Sequence, residues 1–122
     1  MGELFKRIED IEVWKRGCRL VVDVYQITNL HPFDKDWSLR DQIRKAAISI
    51  PSNVAEGFER ESSAEFRRFL LIAKASCGEL RTQLYISQAL DYVEKQDIEG
   101  SINECVEISS MISGLIKHLQ KI

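Results

Sequence analysis

Proline, glycine and histidine are scarce in this chain, and each scarcity excludes something. Two prolines, Pro32 and Pro51, and six glycines punctuate 122 residues, so the regular elements are few and long. The only histidines are His31 and His118. No Glu-x-x-His pair occurs, which removes the ligand pattern of a di-metal carboxylate bundle. The His-Glu-x-x-His zinc signature, the phosphate loop and the dinucleotide glycine pattern are absent as well. The three cysteines, Cys18, Cys77 and Cys105, are odd in number and far apart, with no Cys-x-x-Cys pair. They build no disulfide framework and read as buried, reduced side chains of helices. No apolar run approaches the ~20 residues of a membrane span. The opening Met1 to Arg7 lacks an apolar signal core, and Lys6 stands where a myristoylation motif wants Ser or Thr. A cytoplasmic protein without catalytic residues, metal or cofactor is the expectation.

What is present is helix-forming. Hydrophobic residues make up 44% and charged residues 30%, enough for one core and one solvated exterior. The net charge of −2 hides an uneven distribution. Residues 89–107 hold six acids against Lys95 alone, a balance of −5, so basic faces remain possible elsewhere.

Four helices follow from apolar periodicity. The first spans about residues 9–29, with Ile11, Trp14, Cys18, Val21, Tyr25 and Thr28 on one face, which Leu20 and Val22 widen. The second opens at Ser38 as its cap and carries Leu39, Ile43, Ala46, Ile50, Val54 and Gly57 on a common face. Pro51 sits mid-pattern, where it removes a hydrogen bond at a cost of ~3 kcal/mol. The period runs in register through it, which predicts a continued, kinked helix rather than a break. The third opens with Ser62-Ser63-Ala64-Glu65, a capping box. Its stripe is Phe66, Phe69, Leu70, Ala73, Cys77, Leu80, Leu84 and Ser87, ending near Leu90. About 29 residues make a rod of ~43 Å, which suits aligned helices. The fourth runs from about Lys95 to Lys121 on Ile98, Ile102, Cys105, Ile108 or Ser109, Ile112, Leu115, Ile116 and Leu119. Short links imply antiparallel neighbours. The expected fold is all-α: one antiparallel up-down-up-down four-helix bundle over residues 1–122.

Two sets of side chains stand out. Ser49, Asn53 and Glu56 share a face around Pro51, with Ser52 beside them and Glu79 and Gln83 of the third helix as candidate partners. They serve either as a ligand or RNA contact, or as a structural hydrogen-bond network beside the proline. Were the chain an enzyme, its pocket would have to be lined by Ser49, Asn53, Glu56 and Glu79. The second set is cationic: Lys15, Arg16 and Arg19; Arg40, Arg44 and Lys45; Arg67 and Arg68 near Arg60. These are phosphate contacts or a solvated face of ion pairs. Patches of three charges bind nucleic acid weakly unless symmetry repeats them. Trp14, Trp37, Tyr85 and Tyr92 would stack bases or belong to cores and interfaces. Val22, Ile48, Leu71, Ile72 and Ile86 exceed what one core stripe per helix buries, which predicts a subunit interface.

The stretch Leu39–Gly57, centred on Ser-Ile-Pro-Ser-Asn-Val-Ala-Glu-Gly from Ser49 to Gly57, resembles the signature of the 23S ribosomal RNA intervening-sequence proteins, a four-helix-bundle family. Glu65–Ala73, Gly78–Leu84, Val13-Trp14, Val24-Tyr25 and Ile112–Ile116 agree, so the resemblance covers about residues 8–120. It marks Ser49, Pro51, Asn53, Glu56, Gly57 and Glu79 as the family's polar cluster. The resemblance implies a ring-shaped homopentamer without enzymatic activity. Some such proteins are encoded within insertions in bacterial 23S rRNA genes. Related ones serve diversity-generating retroelements, binding RNA or DNA and a reverse transcriptase. Structured RNA or DNA, a second copy, and a reverse transcriptase or other protein are therefore the expected partners, with no membrane.

Overall fold

The computed structural model describes residues 4–121. Met1-Gly2, the start that a myristoylation motif would require, lies outside them. Four helices fill the chain: α1 (Glu12–Thr28), α2 (Trp37–Glu59), α3 (Ser63–Ala89) and α4 (Lys95–Gln120). Short 3-10 turns, Ile8–Asp10 and Phe33–Lys35, precede α1 and α2. No strand occurs among the described residues, and none of their helices is long and apolar enough to cross a membrane. Each helix packs on the next and α1 on α4, which closes the bundle. The α2–α3 seam is the most extensive and the α1–α4 seam the thinnest.

The core is aliphatic. Leu20, Ile43, Ile50, Leu70, Leu80, Leu84, Ile98, Ile108 and Ile112 are fully buried, together with Phe33 and Phe66. Full burial of each such side chain contributes roughly 1.5–3 kcal/mol. The stripes expected for α2, α3 and α4 are buried along most of their length, but Leu39, Leu115 and Ile116 are half-buried and Leu90 is exposed. That of α1 holds at its ends, where Ile11 and Thr28 are buried, and is rotated between them. Val13, Gly17, Leu20, Val24 and Ile27 face inward, whereas Trp14, Cys18 and Val21 are half-buried and Tyr25 is exposed. The reason lies in Gly17. A Cβ built there would stand 3.3 Å from Pro51 Cβ and Cδ, so α1 meets α2 through its glycine, which apolar counting skips. The second stripe, Trp14-Cys18-Val21-Tyr25, flanks the contact instead of making it. Cys77 and Cys105 are buried as expected, and burial raises their thiols to about 11 and about 12.

The helix ends also depart from expectation. Asp36, not Ser38, caps α2, its carboxylate accepting from the Leu39 amide at 3.1 Å. A carboxylate there also complements the positive end of the helix dipole. Ser62 caps α3, accepting from the Glu65 amide. Glu65, however, is turned to Arg68 at 2.8 Å; the charged partner outcompetes the neutral amide. A reciprocal cap appears at α4 instead, where the Glu94 amide donates to Asp97 Oδ2 at 2.8 Å. The turns after α2 and α3 place Glu61 (φ 55°) and Asp91 (φ 63°) in the left-handed region. After α3, the Tyr92 amide reaches the Ser87 carbonyl and the Asp91 amide that of Gln88, the two bonds of a Schellman ending. Tyr92 then packs on Phe33 and donates to Asp36 Oδ2 at 2.9 Å. It ties the link before α2 to the link after α3.

Candidate functional site

The Ser49–Gly57 segment lies wholly within α2, which runs unbroken through Pro51. Its side chains alternate between three neighbours. Ile50 and Val54 fill the core. Pro51 is buried against Gly17 of α1. Gly57 meets α3 so closely that a Cβ there would stand 2.7 Å from Phe69 Cβ and 3.2 Å from Phe66 Cα. On the α3 side, Asn53 Nδ2 donates at 2.8 Å to both the carbonyl and the hydroxyl of Ser49. The Ser49 hydroxyl meets that of Ser76 at 2.9 Å, and Ser76 reaches the Ile72 carbonyl at 3.2 Å. One chain of hydrogen bonds thus bridges α2 and α3.

Asn53 caps the Ser49 carbonyl, one turn before it, and not the Ala47 carbonyl whose usual donor the proline removes. Glu56 pairs with Arg60 at 2.9 Å and faces solvent. Gln83 donates to Glu79 at 3.4 Å, so these two join each other rather than Ser49. The member that sequence reading missed is Ser76. Its signal was a polar residue seven positions from both Phe69 and Gln83, on the buried edge of α3. Ser49, Asn53 and Ser76 satisfy one another across the α2–α3 seam, whereas Gln83 Oε1 is buried and meets no hydrogen-bond donor among the described residues.

The cations divide by partner. Arg16 is clamped: its Nε donates to Glu104 Oε2 at 2.8 Å, an Nη to the other Glu104 oxygen, and the same Nη to Glu107 at 2.8 Å. The Glu104 hydrogen bond raises the Arg16 pKa, and Arg16 in turn holds the Glu104 carboxyl below its ordinary value. Lys15 and Arg19 each lie 3.6 Å from Glu12, Arg40 lies 3.3 Å from Asp41, and Arg68 2.8 Å from Glu65. Arg44 donates to Thr28 Oγ1 (2.8 Å) and Asn29 Oδ1 (2.9 Å) and stacks over Tyr25. Arg67 reaches only the Ser63 carbonyl, and Lys45 is exposed. The eight are not brought onto one face. Arg44 lies beside Thr28 of α1, whereas Arg67 and Arg68 flank the part of α3 that meets Gly57, which stands about 20 Å further along α2 by rise per residue. The acidic block is partly used within the fold, through Glu104, Glu107, Glu94 and Asp97. Of the aromatics, Trp37 and Tyr85 are exposed, Trp14 packs on the core and Tyr92 is held by Asp36. Among the described residues, no group of three or more His, Cys, Asp or Glu is placed to hold a metal ion.

The sequence profile of the 23S rRNA-intervening sequence proteins matches residues 9–114. The chain belongs to that family. The match contains α1, α2 and α3 whole, together with the Ser49–Gly57 segment. The same fold occurs in the crystal structure, at 1.70 Å resolution, of a protein with unknown function from the S23 ribosomal protein family from Bacteroides thetaiotaomicron VPI-5482. The two superpose with a TM-score of 0.78 at 23% identity, over 86% of this chain and 98% of that one. No curated protein matches the chain. In this member of the family, the segment that carries the family resemblance is a helix-packing device.

Proposed function

We propose that the protein is a non-catalytic assembly unit: a four-helix bundle that associates with copies of itself, as a homopentamer, to form a docking platform. The observation that carries this reading is an excess of exposed apolar surface in two places. Val22 (56% exposed), Tyr25 and Ile48 (41%) lie on the outer edge of α1 and α2. Leu71 (56%), Ile72 and Ile86 (44%) lie on α3. A helix with apolar residues on most of its circumference belongs in an interior, and patches of this kind mark interaction sites. Two unlike patches on one protomer suit a head-to-tail contact, the kind that closes rings.

Light scattering tests this directly. A mass that is a multiple of the 14.1 kDa protomer, reduced to one protomer in an Ile72→Glu or Ile48→Glu variant that keeps its helical spectrum, is the expected result. A wild-type protein that stays at 14.1 kDa at micromolar concentration overturns it.

A second reading, RNA or DNA binding, is favoured by one observation. Of the eight candidate cations, Arg44, Lys45 and Arg67 have no carboxylate within 4.0 Å among the described residues, whereas Lys15, Arg16, Arg19, Arg40 and Arg68 do. The five-fold repeat of the three would supply avidity that one patch lacks. Titration against structured RNA over a range of salt checks it. Binding absent at low salt, or indifferent to salt, removes the reading.

A further inference from the structure

Arg67, Lys74 and Arg81 follow one another at seven-residue steps along α3. Each step advances about 10 Å and turns the side chain by only about 20°, so the three form a line along the edge of α3 that faces α4. Between that edge and α4 runs a groove of about 370 Å³, lined by Leu71, Lys74, Cys77, Gly78, Arg81 and Ser109. No carboxylate lines it. None lies within 4.0 Å of any of the three cations among the described residues, although most other arginines of the protein are paired.

Arg81 is the least satisfied of them. Its Nε–H is withdrawn from solvent and meets no acceptor, a costly state for a group of a charged side chain. The guanidinium lies close enough to Cys77 and Cys105 for its charge to oppose the rise that burial gives both thiols. It is thus a cation held over an apolar floor with incomplete hydration and no counter-charge. We propose that this groove is an oxyanion site that takes a phosphate group, held between Lys74 and Arg81 with the Ser109 hydroxyl as a third donor. Phosphate suits it better than a carboxylate, because its several oxygens and greater charge engage both cations at once. Gly78 leaves the α3 backbone open there: a Cβ would meet nothing within 4 Å. Leu71 and Ala75 supply an apolar wall for whatever carries the phosphate. Leu71 belongs also to the exposed apolar surface of α3 assigned above to assembly, whereas Lys74 and Arg81, on which the titration is read, do not.

Calorimetric titration of the full chain with inorganic pyrophosphate tests it. Saturable binding is expected, weakened about tenfold or more for each cation removed in Lys74→Gln and Arg81→Gln and unchanged in Lys35→Gln, which lies in the turn before α2. Circular dichroism checks that each variant keeps its helices; should Arg81→Gln not, Lys74→Gln carries the same comparison. No saturable binding by the wild type, or equal binding by the groove variants, overturns the proposal. A single-stranded RNA oligonucleotide that displaces the bound pyrophosphate identifies strand phosphates as the source. One that leaves it bound identifies a free phosphorylated compound.

Discussion

At the scale of single residues, the glycines separate into those that another helix touches and those that nothing touches. Gly57 belongs to the first kind. Gly57→Ala drives a methyl group into Phe69 and the backbone at Phe66, and overpacking of this sort costs roughly 1–3 kcal/mol. Urea unfolding should show that loss. Gly100 belongs to the second kind, open to solvent within α4. Gly100→Ala should raise stability by about 1 kcal/mol, because glycine weakens a helix interior by that amount. The Glu104 carboxyl gives a pH signature. Its pKa is lowered, chiefly by the hydrogen bond from Arg16, so the folded state gains from its charge above the ordinary carboxylate value of 4.5. That gain is lost as pH falls through the lowered value. Wild-type stability should therefore decline with acid below about pH 4.5, and Glu104→Gln should flatten that part of the curve in urea melts recorded at several pH values.

At the scale of elements, the helix ends and seams carry the expectations. Glu61 and Asp91 hold left-handed backbone without being glycine. Glu61→Gly should stabilise by up to about 1 kcal/mol, since a side chain strains that conformation. Asp91→Gly should gain less, because aspartate tolerates it better; thermal melts rank the two. Ser76→Ala removes the link between α2 and α3 and should cost about 1 kcal/mol. The helices themselves were legible from sequence because α2, α3 and α4 each carry one dominant apolar stripe. The inward face of α1 was not, because two stripes compete there and the choice rests on Gly17 meeting Pro51, a contact between residues 34 positions apart. Asp36 was passed over as a cap for the hydroxyl two residues later. The bridge from Ser49 to Ser76 and the cation groove opposite Ser109 both join residues of different helices. Periodicity along one helix names the faces but not which face of the neighbour each one meets.

At the scale of the whole molecule, the surface is unevenly committed. Most arginines are matched to carboxylates of the same chain, whereas apolar side chains on α1, α2 and α3 are left without partners. A protein arranged this way should unfold at a midpoint that rises with its own concentration, because association stabilises the folded state by mass action. Melts at several concentrations check this, and a midpoint independent of concentration speaks against assembly. The thin α1–α4 seam has a consequence for synthesis. Arg16 emerges from the ribosome early, and the carboxylate that clamps it, Glu104, is translated 88 residues later. Until the last helix arrives, the nascent chain displays a three-rod sheaf with one greasy flank bare, including the α1 side chains that α4 will cover. That interval is when a chaperone, or a neighbouring nascent copy, has its best opportunity to bind.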